Sequence, residues 1–126
     1  MKSQIILCSG GARSGKSEFA ERLALSTEGR KAYVATGQAF DEEMVDRIKK
    51  HQERRGAIWT NFEVPLYLAK EWQNISQSAD VILIDCLTMF TTNHMMSHGS
   101  IQGQQDANQL EATVLAELEA LLTNIK

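Results

Sequence analysis

The hydrophobic residues of this chain fall into two patterns that alternate along it. Short apolar runs predict four β-strands, at residues 4–9, 31–37, 57–64 and 80–87. The first run, Gln-Ile-Ile-Leu-Cys-Ser, is nearly continuous, which is typical of a strand buried on both faces. Because amphipathic stretches separate the runs, this order predicts an α/β fold with a mainly parallel sheet flanked by helices.

The amphipathic stretches predict four helices, at residues 16–28, 41–55, 66–75 and 106–125. Apolar residues spaced by three and four define the side of each helix that faces the sheet. In three of the helices these residues are Phe19, Ala20, Leu23 and Ala24; Phe40, Met44, Ile48 and His51 or Gln52; and Leu110, Val114, Leu115, Leu118, Leu121, Leu122 and Ile125. The intervening residues 88–105 combine the pattern of a short helix with a loop rich in glycine, glutamine and serine.

The end of the chain departs from this regular order. The last helix has an apolar stripe that must pack on a sheet, yet no strand follows it before Lys126. Since parallel sheets usually continue after such a helix, we expect the chain to be truncated at its C-terminus.

Composition and charge narrow the class of protein. The 126 residues, 43% hydrophobic and 23% charged, predict one globular domain over residues 1–126. A net charge of −3 argues against a general nucleic-acid binder, which needs excess cations to displace phosphate counterions. No apolar run approaches the ~20 residues of a membrane span, and no signal-peptide core is present, so we expect a cytoplasmic protein. Cys8 and Cys86 are then expected to be reduced core residues.

A glycine-rich segment lies between the first predicted strand and the first predicted helix. It consists of Gly10, Gly11, Ala12, Arg13, Ser14, Gly15, Lys16 and Ser17, which is the spacing of a phosphate-binding P-loop. Gly10 and Gly15 permit backbone conformations that turn successive N–H groups toward one phosphate. Lys16 would reach the β and γ oxygens, and the Ser17 hydroxyl would bind Mg²⁺. The alternative is a glycine-rich turn of structural use only.

An acidic residue supports nucleotide binding. Asp85 ends the apolar run Val-Ile-Leu-Ile-Asp, at the carboxyl end of a predicted strand. A P-loop protein places there the acid that helps to hold Mg²⁺. The alternative for Asp85 is to cap the helix that follows.

The helix at 41–55 carries one histidine among five basic side chains. Arg47, His51 and Arg55 are four residues apart, and a helix brings them, together with Arg54, onto one sector. Nearby cations disfavour the protonated imidazole, and a neutral imidazole has a lone pair that can attack phosphorus. The pattern alone favours a simpler interpretation, a solvated basic helix with an incidental histidine. His94 and His98 lack basic partners and are expected to be structural.

Four segments together resemble one family, the bifunctional adenosylcobinamide kinase/adenosylcobinamide-phosphate guanylyltransferases of cobalamin biosynthesis. The segments are GGARSGKS, YVATGQAFDEEMVDRIKKHQERR, WTNFEVPLYL and DCLTMFTTN, and they run from Gly10 to Asn93 in the family's order. The family continues with a Ser-Asn-Glu-Val-Gly strand that this chain does not contain. Phe90 stands where the family often has tryptophan.

The resemblance implies a three-layer, RecA-like P-loop fold and two reactions. In the first, the γ-phosphate of ATP or GTP passes to the hydroxyl of adenosylcobinamide. In the second, the histidine at the position of His51 takes GMP from GTP and passes it to adenosylcobinamide phosphate. The resemblance therefore favours His51 as a nucleophile over an incidental histidine.

The resemblance also assigns roles to individual positions. Mg²⁺ would lie with Ser17 and Asp85, Arg47 would hold phosphates, aided by Arg54 and Arg55, and family members assemble as trimers. Glu63 is either near the nucleotide or simply a carboxylate at a strand end. Two other interpretations stay open, a P-loop kinase of another small molecule and a nucleotide-binding remnant without catalysis.

Overall fold

A parallel sheet of three strands forms the centre of the protein. In the computed structural model, which describes residues 4–11, 14–37, 42–98 and 102–125, the strands are β1 (Lys31–Ala35), β2 (Trp59–Glu63) and β3 (Val81–Asp85). Their order is β2-β1-β3, and both pairs are parallel. This arrangement confirms the predicted α/β class with a parallel sheet.

Helices pack on both faces of the sheet. Within the described ranges they are α1 (Lys16–Leu25), α2 (Glu42–Arg55), α3 (Leu68–Ser78), α4 (Leu87–His98) and α5 (Gly103–Asn124), and a 3₁₀ turn (Gly56–Ile58) follows α2. Since side chains alternate across a strand, the two faces of β1 carry different residues. Ala32 and Val34 face a core shared with α3, α4 and α5, whereas Tyr33 faces a core shared with α1.

The two cores differ in size. The larger core contains Ala32, Val34, Val64, Leu68, Trp72, Ile75, Ala79, Phe90 and Leu121. The smaller core contains Ala24, Tyr33 and Trp59, with Ala35, Val81 and Leu83 packed at its border. Most of the burial that stabilises the protein therefore lies on the α3 and α5 face.

The predicted helices are present, with shifts of a few residues at their ends. In α2, Met44 and Ile48 are half-buried as their spacing predicts, and residues 88–98 belong to α4. The apolar stripes predicted too much burial at three positions. Phe19 is 54% exposed, and Leu115 and Leu122 are exposed on α5, because the helices meet their neighbours along narrower strips than the spacing indicates. Phe40 and Asp41 lie outside the described residues.

The prediction of a buried strand at residues 4–9 is wrong for this structure. The segment has no regular secondary structure, and Ile5, Ile6 and Leu7 are exposed. A β-strand needs a neighbour for its backbone hydrogen bonds, and the described strands pair only as β2-β1-β3. The apolar run shows the propensity of this segment, but the segment pairs with none of the described strands.

None of the helices in the described ranges is long and apolar enough to cross a membrane.

Replacing Phe90 by alanine is expected to lower the free energy of unfolding by about 3–5 kcal/mol. Phe90 is fully buried in the larger core, so its removal leaves a cavity. Urea denaturation measures the change. The control is Met96→Ala on the same helix, where the side chain is 60% exposed and the expected change is within about 0.5 kcal/mol. Equal effects of the two substitutions would contradict this account of the core.

Candidate functional site

The glycine-rich turn, of which the structure describes Gly10, Gly11 and Ser14 to Ser17, leads directly into α1. Gly15 has φ 83°, a left-handed conformation that favours glycine, and it is the N-cap of α1. The Ser14 amide donates to the Gly11 carbonyl at 3.3 Å, and the Phe19 amide donates to the Gly15 carbonyl at 3.0 Å. At Gly10, a Cβ would lie 2.6 Å from Ser14 Oγ. The backbone conformation therefore favours glycine at position 15, whereas a side chain at position 10 would require the Ser14 hydroxyl to move. Ala12 and Arg13 lie outside the described residues.

An open groove of about 890 Å³ lies beside this turn. Its lining includes residues 6–10 together with Gly15, Lys16 and Phe19. The groove is within the usual size of small-molecule sites. Lys16 Nζ donates to the Gly11 carbonyl at 3.2 Å, so the lysine side chain contacts the backbone of the glycine-rich turn.

The carboxyl ends of the three strands lie level with one another. Ala35 is paired with Glu63 on one side and with Asp85 on the other. With two strand spacings between them, the backbones of Glu63 and Asp85 are about 10 Å apart. The register places both side chains on the face that Tyr33 occupies, and α1 packs against β3. The strand-end carboxylates and the helix that follows the glycine-rich turn therefore share one side of the sheet.

Asp85 is held by a tyrosine from the neighbouring strand. The Tyr33 hydroxyl donates to Asp85 Oδ2 at 2.5 Å. Burial raises the pKa of Tyr33 above its ordinary value, and the hydrogen bond to Asp85 raises that pKa further. The phenol is therefore protonated at neutral pH and acts as a donor.

A buried hydrogen-bond network joins the ends of β1 and β3 to α4. Thr36 Oγ1 donates to the Cys86 carbonyl at 2.6 Å and accepts from the Cys86 amide at 2.8 Å. Asn93 Nδ2 donates to the Thr36 carbonyl at 2.5 Å and to the Pro65 carbonyl at 3.0 Å. Thr36 and Asn93 are both buried, so these bonds form in a medium where unpaired polar groups are costly. The network stabilises the backbone around Asp85.

The histidine helix α2 is anchored to the sheet at its C-terminal end. Arg55 Nη2 donates to Asn61 Oδ1 at 2.9 Å, and the Arg55 guanidinium lies 3.6 Å from the centre of the Tyr33 ring. Gln52 Nε2 approaches Glu63 Oε1 at 3.5 Å. His51 is exposed to solvent, and no hydrogen bond among the described residues joins it to the glycine-rich turn.

The other cations of α2 lie on its solvent side. Arg47 forms an ion pair with Glu43 at 3.7 Å, and Lys50 pairs with Asp46 at 3.1 Å. Exposed pairs of this kind contribute little to stability and open readily. Arg47 is thus available to bind an anion, whereas Arg55 is already engaged with the sheet.

Comparison with known proteins identifies the family. The family model described as cobinamide kinase/cobinamide phosphate guanyltransferase matches residues 6–126. The chain belongs to this family.

Curated relatives are longer proteins named bifunctional adenosylcobalamin biosynthesis proteins. The bifunctional adenosylcobalamin biosynthesis protein CobP of Pseudomonas aeruginosa is 46% identical over 87 residues, which are 69% of this chain and 50% of that protein. The CobU proteins of Escherichia coli and Salmonella typhimurium are 32% and 34% identical, each over 94% of this chain and 66% of the relative. The chain therefore spans between half and about two thirds of the length of the curated relatives it matches.

The oxygen donors at the start of α1 and at the end of β3 would suit a Mg²⁺ ion bound together with a nucleotide. Ser17 supplies a half-buried hydroxyl at the start of α1, and Asp85 supplies a carboxylate at the end of β3. Mg²⁺ binds oxygen ligands and usually keeps several waters while it bridges one or two protein groups to phosphates. A site of this kind needs no larger ligand cluster, and the described residues contain no group of three or more metal-binding side chains.

Three polar residues of this family member were missed from the sequence. Tyr33, Thr36 and Asn93 hold the strand ends, and each lies inside a segment that carries the family resemblance. Thr36 directly follows β1, and that position was a signal available in the sequence, whereas Tyr33 lies in the middle of β1 and Asn93 lies within α4. His94 is buried between Phe90 and Tyr67. Cys8 and Cys86 are free and half-buried, and neither belongs to the two cores, so the prediction that they are core residues is wrong.

Proposed function

We propose that the protein carries out both reactions implied by its family. It transfers the γ-phosphate of ATP or GTP to adenosylcobinamide, and it then transfers GMP from GTP to adenosylcobinamide phosphate through His51. The product is adenosylcobinamide-GDP. The observation that carries the proposal is a solvent-exposed histidine on a helix anchored to β2, the strand that ends in Glu63, and to the ring of Tyr33, whose hydroxyl binds Asp85.

The glycine-rich turn supports the kinase reaction. Backbone N–H groups from Gly10 to Ser17 would hold the phosphates, including those of Ala12 and Arg13, and Lys16 would exchange the Gly11 carbonyl for phosphate oxygens. Ser17 and Asp85 would hold Mg²⁺, which neutralises charge on the β and γ phosphates when bound. The hydroxyl of adenosylcobinamide then attacks the γ phosphorus, and the bond to the bridging β–γ oxygen breaks.

The histidine helix supports the guanylyl transfer. A neutral His51 nitrogen would attack the α phosphorus of GTP, and the bond to the α–β oxygen breaks with release of pyrophosphate. A phosphate oxygen of adenosylcobinamide phosphate then attacks the same phosphorus, and the N–P bond breaks. Arg47, one turn away on α2, would exchange its ion pair with Glu43 for the triphosphate. Glu63, next to Gln52, would border the nucleotide.

The proposed reactions also determine the substrates, the cellular location and the assembly that we expect for the protein. The substrates are a corrinoid and the nucleotides GTP and ATP. The proposed reactions involve neither a nucleic acid nor a membrane span. We place the enzyme in the cytoplasm and its assembly as a trimer, the latter by family resemblance alone.

A labelling experiment tests the proposal. The protein is incubated with GTP labelled at the α-phosphate and with Mg²⁺, then denatured and separated from free nucleotide. A histidine phosphoramidate predicts retained label that is lost in acid and stable in base. Transfer of γ label to cobinamide reports the kinase reaction separately. Absence of protein-bound α label would contradict the guanylyl transfer and leave a kinase alone.

A further inference from the structure

The smaller core contains one polar contact, a hydrogen bond between Tyr33 and Asp85. Tyr33 is only 7% exposed, in the middle of β1. Its ring lies edge to face with Trp59, 5.8 Å between centroids, and the Arg55 guanidinium covers it at 3.6 Å. The hydroxyl oxygen is the single polar atom of this side chain, and the hydroxyl donates a hydrogen bond to Asp85 Oδ2 at 2.5 Å.

The strand register makes this contact possible. Tyr33 is paired with Leu83, and Asp85 is two residues further along β3. The two side chains therefore project from one face of the sheet as diagonal neighbours, within reach of a long aromatic side chain. Phenylalanine would fill nearly the same volume, so what tyrosine adds here is the hydrogen bond. Asp85 Oδ1 accepts no hydrogen bond from the residues that the structure describes.

We propose that Tyr33 is a positioning residue for nucleotide-bound Mg²⁺. Its hydroxyl fixes the rotation of the Asp85 carboxylate, which leaves Oδ1 as the oxygen that supports the metal. This inference rests on the proposed function, because it takes Asp85 to be the acid that supports Mg²⁺. Arg55 steadies the same ring from α2 and is itself held by Asn61.

The expected size of the effect is large enough to measure. Groups that hydrogen-bond and orient a metal ligand typically contribute 10- to 100-fold to metal affinity, so about tenfold is expected for the loss of one hydroxyl. A tyrosine that served packing alone would affect stability and leave the Mg²⁺ dependence unchanged. The two roles therefore separate in a binding measurement.

The test is Tyr33→Phe, which deletes the hydroxyl and keeps the ring. The affinity for a fluorescent GTP analogue is measured in EDTA and across a series of Mg²⁺ concentrations. We expect the Mg²⁺ concentration for half-maximal effect to rise about tenfold in the variant. We expect the affinity in EDTA to stay within about twofold of wild type. In an Asp85→Asn background, Tyr33→Phe is expected to have no further effect on the Mg²⁺ dependence.

The matched control is Tyr67→Phe, which removes the hydroxyl of the other tyrosine, one that is 58% exposed. Its Mg²⁺ dependence should equal that of wild type, and thermal unfolding checks that every variant is folded. An unchanged Mg²⁺ midpoint in Tyr33→Phe overturns the proposal, as does an equal loss of GTP affinity with and without Mg²⁺. A wild-type affinity that does not respond to Mg²⁺ overturns it as well. Because the titration measures binding alone, a failure of His51 to take label would contradict the proposed GMP transfer without affecting this result.

Discussion

Replacing His51 by asparagine is expected to abolish covalent labelling of the protein by α-labelled GTP. Asparagine is similar in size and polar, but its amide nitrogen has no lone pair available for attack on phosphorus. The loss should exceed about 10³-fold, down to the background of the assay, because no other route to the intermediate exists without the nucleophile. Since His51 is exposed and makes none of the contacts that anchor α2, the free energy of unfolding should be nearly unchanged.

The His51→Asn variant also separates the two reactions. Transfer of the γ-phosphate to cobinamide should continue, because the proposed kinase reaction uses the glycine-rich turn and Lys16 rather than α2. His98→Asn, a change at the end of α4, serves as the matched control and should label as wild type does. Retention of label in His51→Asn would show that another residue is the nucleophile and would refute the assignment.

Replacing Lys16 by alanine is expected to reduce both reactions. Lys16 is the one side chain of the glycine-rich turn expected to contact the β and γ phosphates directly, and in the structure it already lies against the loop through Gly11. Removal of a preorganised group that stabilises charge in the transition state costs about 10²- to 10³-fold in rate. Phosphoryl transfer should fall by this amount, and labelling of His51 should weaken because GTP binds less tightly.

Lys70→Ala is the control for this experiment. Lys70 is an exposed lysine on α3, a helix of the opposite face, so its loss changes the net charge equally without touching the proposed site. Steady-state transfer of γ label to cobinamide and the yield of α label on the protein give the two rates. If Lys16→Ala and Lys70→Ala behaved alike, the glycine-rich turn would have no special part in phosphate binding.

The sequence predicted most elements of the fold because their signals are local. The run Val-Ile-Leu-Ile-Asp is β3, and the spacing of Met44 and Ile48 defines the inner side of α2. The error at residues 4–9 has a different origin. Ile5 and Ile6 favour a strand locally, but a strand forms only where another backbone pairs with it, and pairing is a property of the whole fold.

The sequence predicted the site residues that belong to a motif, but it did not predict the contacts that depend on how the strands and helices pack. Gly15 and Lys16 could be found because the P-loop spacing has a known chemical reason. The contact between Tyr33 and Asp85 depends on the register of β1 with β3, which no local pattern specifies. Arg55 illustrates the same limit, since its place among basic residues suggested phosphate binding, whereas its contact with the Tyr33 ring anchors the helix.

The unequal faces of the sheet have a practical consequence for engineering. The larger core, with Leu68, Ile75 and Phe90, lies on the side away from Tyr33, Asp85 and the histidine helix. Stabilising substitutions commonly cost activity where they stiffen a functional region. In this protein such trade-offs should concentrate around α1 and α2. Substitutions intended to stabilise the protein are therefore best placed first on the α3 and α5 side.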